Sequence, residues 1–413
     1  MMQRRDFLKY MLSSTVAGSA WFANGMPGIA TAHAAATPKS LIVIFQRGGC
    51  DGLNVAVPYG DAAYYRLRPT IAIPRAGQSG GALDLNGFFG LHPAMNALHK
   101  LYQQGNVAVF PAVHYPNASL SHFDSEQFIE SGVVSKTSNG WLNRHLEASS
   151  NSSGMRGVSF GTGIDQALRG NISVSSFNDL SAFDLDMAAT AEQRMTARLQ
   201  KVYAQSPHLG GGNGVRIQNA GRTLFADLAL VQQLDVKGYA PANGAVYPAN
   251  TFGTQLRQAA QLIKSGVGLE LATVNLGGWD THNAQGNQVG YQANMLKIFA
   301  DGIAALYADL GAAMQDVMIL TMTEFGRTAE ENGSQGTDHG NAACWFAMGG
   351  GVRSGVYGQW PGLEKAQLYK GRYLAHSVDF RDIFGEIASK HLGNTQLASL
   401  LPGHSHTPLN FLA

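Results

Sequence analysis

Apolar runs recur along the chain, and most are closed by a short polar stretch containing glycine. Leu41-Ile42-Val43-Ile44-Phe45 is continuous and rich in β-branched residues, which predicts a strand buried on both faces of a parallel sheet. Between Leu91 and Gln103, Leu91, Met95, Leu98, Leu101 and Tyr102 fall at helical spacing, and Gly105 closes the element. Val107 to Phe110 then reads as a second buried strand, completing a βαβ rhythm. Strand-like pieces follow between Gly154 and Ser181, and helices between Leu185 and Leu234 are interrupted by Gly210-Gly211-Gly212. A helix over Thr251–Lys264 leads to a strand over Leu269–Asn275, and a long helix over Val289–Met314 leads to a strand over Val317–Thr321. A strand over Trp345–Met348 and a helix over Phe380–Leu392 complete the pattern. The alternation predicts an α/β fold: a doubly wound, mostly parallel sheet with helices on both faces. In such folds sites gather at the C-terminal ends of the strands.

The chain has 413 residues, 45% of them hydrophobic and 14% charged, which is enough for one large core. A net charge of +1, with no basic block beyond the N-terminus, leaves no electrostatic footprint for nucleic acid. Arg4-Arg5-Asp6-Phe7-Leu8-Lys9 looks like a twin-arginine (Tat) export motif; an apolar run to about Ala23 and the small-residue stretch Ala32-His33-Ala34 follow. Residues 1–34 are therefore expected to be a signal peptide read by the Tat translocon, giving a periplasmic or secreted protein. The alternative is an uncleaved tether. No later run of about 20 apolar residues suggests a membrane span after cleavage. Residues 35–413 are expected to form a single domain, with a helical insertion or cap at about 154–250. Cys50 and Cys344 could pair in an oxidising compartment, or remain two buried thiols.

The candidate chemistry sits in the polar segments beside the strands. Asp51 follows the first strand inside Gly48-Gly49-Cys50-Asp51-Gly52; it is either a metal ligand or the cap of a turn. Asp280 and His282 are two apart in Gly278-Trp279-Asp280-Thr281-His282, so on an extended segment both can face one ion. Asp338 and His339 are adjacent and need an irregular turn to do the same, which Gly336 and Gly340 permit. Glu324 either ligates or pairs with Arg327. Ser121 precedes a helix predicted at about Asp124 to Ile129; it is either a nucleophile or a cap, with His122 packing locally. His376 is a further candidate ligand, ahead of the tail residues His404 and His406. Neither a G-x-G-x-x-G after a strand nor a Walker-type loop is present, which argues against dinucleotide and NTP chemistry.

Together these motifs resemble the DUF1501 family of exported bacterial proteins. The resemblance runs from Phe45-Gln46-Arg47-Gly48-Gly49-Cys50-Asp51-Gly52-Leu53-Asn54 through Ser121-His122-Phe123, Gly278 to His282, Glu324 to Arg327 and Asp338 to Gly340, ending at Asp379-Phe380-Arg381. That family is similar to the alkaline phosphatase and sulfatase superfamily, which implies an alkaline-phosphatase-like sheet and a two-metal hydrolytic site. The resemblance implies that Asp51, Asp338 and His339 hold one metal, that Asp280 and His282 begin a second site, and that Ser121 lies near the nucleophile position. Cys50-Asp51-Gly52-Leu53-Asn54 departs from the C-x-[PA]-x-R pattern that matures to formylglycine, which disfavours an ordinary sulfatase. The expectation is a hydrolase of a small anionic phosphate or sulfate ester with zinc, manganese or calcium bound, and with Arg47 or Arg327 clamping the anion. Its rival is an inactive scaffold of the same fold that binds a metal or an envelope partner.

Overall fold

A computed structural model of the chain describes residues 39–149, 154–182, 189–204 and 212–413. The twin-arginine motif and the stretch expected to be cleaved lie outside the described residues. Pro38–Ala413 forms one compact unit.

The central sheet is built from β1 (Ser40–Arg47), β2 (Val107–His114), β3 (Gly157–Phe160), β4 (Ser175–Phe177), β5 (Leu271–Gly277), β6 (Val317–Met322), β7 (Ala343–Gly349), β8 (Gly355–Val356) and β9 (Val378–Asp379). Across the sheet the order is β8-β2-β7-β6-β1-β5-β3-β4, with β9 also on β2. Strand β1 lies at the middle, parallel to β5 (Val43 opposite Thr273) and to β6 (Val43 opposite Leu320). All pairings are parallel except those of β7, which runs antiparallel to both β2 and β6. That reversal places the start of β7 at the edge where β1, β2, β5 and β6 end.

Alternation along β1 divides the core in two. Ile42 and Ile44 enter one apolar cluster with Leu98, Leu256 and Phe299, from helices α1 (Asn96–Gln103), α6 (Thr251–Lys264) and α7 (Tyr291–Leu310). Leu41, Val43 and Phe45 enter the other with Ile129, Trp141 and Phe384, from α2 (His122–Ser131), α3 (Trp141–Ala148) and α8 (Phe380–Glu386). Helices cover both faces, so the fold is the doubly wound, mostly parallel α/β sheet that the apolar runs predict. A small antiparallel sheet of Ala56–Val57, Gly90–Leu91 and Leu83–Asp84 stands beside it.

Several boundaries differ from the sequence reading. Helix α7 stops at Leu310 because Gly311 takes a positive φ of 51°, and a 3-10 turn carries the chain to Asp316. Residues 157–177 supply β3 and β4, so this part of the expected insertion belongs to the sheet. Outside the sheet stand α4 (Ala189–Ala204) and α5 (Gly212–Val231), packed on each other through Tyr203 and Phe225, whose ring centroids are 5.8 Å apart. No helix among the described residues is long and apolar enough to cross a membrane.

Candidate metal centre at the strand ends

Three strand ends and the approach to β7 deliver one cluster. Asp280 and His282 follow β5, Glu324 and Arg327 follow β6, His122 opens the helix after β2, and His339 precedes β7. His122 Nε2 and His339 Nε2 face each other at 3.1 Å, and His339 Nε2 lies 3.2 Å from Asp280 Oδ1. His282 Nε2 stands 3.0 Å from the same Asp280 oxygen, and His122 Nε2 stands 3.7 Å from Asp280 Oδ2. Two imidazole nitrogens at that separation need a proton or a cation between them. In a tetrahedral zinc site with bonds of about 2.05 Å, ligand atoms lie about 3.3 Å apart. The observed spacings match such edges.

Each imidazole is held from behind. His122 Nδ1 is 2.6 Å from Glu324 Oε1, His282 Nδ1 is 3.2 Å from Asp338 Oδ1, and His339 Nδ1 is 2.9 Å from the Leu120 carbonyl. An acceptor at Nδ1 draws the proton there and leaves the Nε2 lone pair of His122 and His339 facing the cluster, while that of His282 also meets Arg327 Nη1 at 3.4 Å. The hydrogen bond to Glu324 raises the His122 pKa, whereas burial lowers that of His339, aided by the neighbouring His122 and Arg327. Burial pushes the Asp280 carboxyl up, but Arg327 and the histidines outweigh it and keep the group ionised below the usual range. The cluster is open on one side: the Asp280 side chain is 46% exposed and that of His282 37%.

Arg327 organises this arrangement. Its guanidinium, fully buried, donates to Gly49 O at 2.5 Å, Thr337 O at 3.2 Å, Trp279 O at 3.0 Å and Asp280 Oδ1 at 2.5 Å, and also to Gly48 O. One side chain thus ties together the segments after β1, after β5 and before β7. Gly48 is required where the first two meet: its φ is +121°, and a Cβ there would come within 2.7 Å of the Asp280 nitrogen. Its N–H in turn donates to Glu324 Oε1 at 2.7 Å.

The expected site residues are sorted by this geometry. Asp280, His282 and His339 converge, while Glu324 and Asp338 stand behind histidines. The neighbours Asp338 and His339 face different partners, because Asp338 also accepts from Asn332 at 3.1 Å and Arg372 at 3.0 Å. Glu324 bonds His122, not Arg327. Asp51 is buried in a fork with Arg68, at 2.5 and 2.9 Å, away from the cluster. His376 has His114 and Asp379 as electrostatic neighbours, and burial lowers its pKa. His404 is bonded to Asp382 at 2.7 Å. Arg47 faces Glu126 at 3.0 Å, Glu130 at 3.2 Å and Asp165 at 3.3 Å, surroundings that repel an anion. With Arg327 occupied by backbone carbonyls, neither arginine is placed as the expected clamp. Ser121 is the N-cap residue of α2, yet its hydroxyl makes no capping hydrogen bond. Cys50 and Cys344 are both free and buried.

Two residues in or beside the cluster carry no expected role from the sequence. His122 was read as packing locally, although Ser121-His122-Phe123 was among the resembling motifs. Arg372, 56% exposed beside Asp338, carries no motif at all.

The fold and cluster define an α/β protein with a carboxylate–histidine site at the C-terminal edge of its sheet. The chain belongs to the family described as "Protein of unknown function (DUF1501)", which matches residues 92–401. No curated protein matches the chain. Among solved structures it is similar to Ps i-CgsB in complex with k-i-k-neocarrahexaose, with a TM-score of 0.40 and 11% identity over 88% of this chain and 74% of that one. It is also similar to the PsFucS1 sulfatase from Pseudoalteromonas sp., at 0.39 and 10% over 98% and 78%. For the phosphonate monoester hydrolase of Agrobacterium radiobacter the values are 0.32 and 10% over 90% and 78%.

Proposed function

We propose that this chain is an exported, metal-dependent hydrolase of a phosphate or sulfate ester. The observation that carries the reading is the convergence of His122, His339 and Asp280, with both imidazoles held at Nδ1 by an acceptor outside the cluster and His282 beside Asp280. Two imidazole nitrogens and one carboxylate suit a borderline divalent cation, zinc before manganese and calcium last, since calcium prefers oxygen ligands. When bound, such a cation supplies a Lewis acid for an ester oxygen and lowers the pKa of a hydroxyl beside it.

The protein's own groups supply the rest. Ser121 heads α2 beside His122, with its hydroxyl not used for capping, and it remains the proposed nucleophile. The exposed guanidinium of Arg372, which donates to Asp338 Oδ2 at 3.0 Å, is the proposed partner of the ester's anionic oxygens, in the role first expected of Arg47 or Arg327. Glu324, Asp338 and the Leu120 carbonyl orient the imidazoles. Export through the Tat translocon to the periplasm or beyond rests on Arg4-Arg5 and the segment after it.

The test is metal per chain by plasma mass spectrometry on protein purified without chelator, together with turnover of a panel of phosphate and sulfate esters. His339→Ala is expected to lose metal and turnover together. Arg372→Ala is expected to keep the metal and raise KM about tenfold or more, the size of one lost charge-assisted hydrogen bond. A folded, metal-loaded chain that turns over no ester would leave the inactive scaffold as the better account.

A further inference from the structure

A two-cation site of the kind implied by the family resemblance needs the carboxylates of both Asp51 and Asp338, and neither is free for it. Asp51 Oδ2 accepts from Arg68 Nη1 at 2.5 Å and from Gln285 Nε2 at 2.7 Å, while Oδ1 accepts from Arg68 Nη2 at 2.9 Å. Arg68 is fully buried, and all five of its N–H groups have acceptors. Besides the two to Asp51, they reach Ala329 O at 3.0 Å, Asn54 Oδ1 at 2.8 Å and Thr328 O at 2.9 Å. Asp338 points away from Asp51, to His282, Asn332 and Arg372.

We propose that the chain holds a single divalent cation, at His122, Asp280 and His339, and that the Arg68 guanidinium occupies the place beside Asp51 where the resemblance puts a second cation. The proposal rests on reading the histidine–aspartate cluster as a metal centre. A buried carboxylate needs one compensating charge, and Arg68 provides it in bidentate geometry with no donor left over. An arginine cannot shed its proton to make room for a metal. Asp280 also meets an arginine, but only its Oδ1 accepts from Arg327 and its side chain is 46% exposed, whereas both oxygens of the buried Asp51 are taken up by Arg68. The pair belongs to the frame of the site: Thr328, which accepts from Arg68, donates its N–H to Asp338 O at 2.9 Å and accepts from the Asp338 N–H at 3.2 Å. An organic cation thus braces the segment that carries His339.

The experiment strips the full mature chain with chelator and titrates it with Zn2+ at neutral pH, counting ions per chain by native mass spectrometry. Wild type and Asp51→Asn are each expected to saturate at one ion, and His339→Ala to bind at least a hundredfold more weakly. Two ions in wild type, with one lost in Asp51→Asn, would overturn the single-cation proposal and leave the metal centre standing. A folded wild type that takes up no ion would overturn the centre itself. If Asp51→Asn does not fold, the paramagnetic resonance spectrum of Mn2+-loaded wild type decides. The spectrum of an isolated ion supports the proposal, and that of a spin-coupled pair refutes it.

Discussion

At the scale of single residues, the site depends on groups that never face the cluster. The Glu324 carboxylate is fully buried, accepts from His122, from the Gly48 N–H and from the Thr323 hydroxyl, and so fixes which His122 nitrogen carries a proton. Replacing it with Gln keeps the shape but removes the charge that supports the imidazole. Outer partners of this kind alter metal affinity by about 10- to 100-fold. Glu324→Gln is expected to lower zinc affinity by that factor in a chelator-competition titration, and unchanged affinity would remove Glu324 from the account. The residue types in these motifs were legible in the sequence, but their orientations were not. Asp338 and His339 are neighbours facing different ways, and Asp51 belongs to Arg68, 17 residues on. Such pairings depend on donors and acceptors far along the chain, which spacing does not encode.

At the scale of elements, apolar periodicity located the strands well because β1, β2, β6 and β7 are buried on both faces and each carries a continuous apolar run. It did not single out β7 as the reversed strand. That β7 runs antiparallel is what brings the segment before it to the same edge as the segments after β1, β5 and β6. The crossing of these segments leaves no space for a side chain at Gly48. Gly48→Ala would place a methyl 2.7 Å from the Asp280 nitrogen at a φ of +121°. A cost of about 1–3 kcal/mol follows from the strained backbone alone. The expected outcome is a lower urea midpoint together with reduced metal occupancy; full occupancy at wild-type stability would show that the turn yields without moving Asp280.

For the whole molecule, buried histidines tie stability to pH. His92, His114 and His391 all have pKa values lowered by burial, that of His114 to about 4. The unfolded chain takes up these protons near pH 6.5, the folded chain only at lower pH, so stability is lost as pH falls from about 6.5 towards 4. His114 alone accounts for on the order of 3 kcal/mol over that window. Burial raises the carboxyls of Glu130 to about 7 and Asp227 to about 6, and these work the other way as pH falls, so the histidine contribution is read from a variant. In chelator-treated protein the thermal midpoint of His114→Gln is expected to lose less than that of wild type between pH 7 and pH 4.5; equal losses would mean that the His114 ring takes up its proton in the fold as readily as outside it.

The sequence alone determined that this is an α/β protein, that its polar motifs accompany buried strands, and that carboxylate and imidazole gather there, because burial on both faces writes itself into continuous apolar runs. It also carried the motifs of the DUF1501 family. Only the tertiary structure decided which of those side chains meet. His122 joined the cluster because β2 ends beside β6 and β7 at one edge, Asp51 left it because Arg68 reached it first, and Arg327 was drawn into the loops by carbonyls from segments as far apart as Gly48 and Thr337. Loop side chains take their direction from long-range partners that supply charge and hydrogen bonds, and those partners exist only once the sheet has assembled.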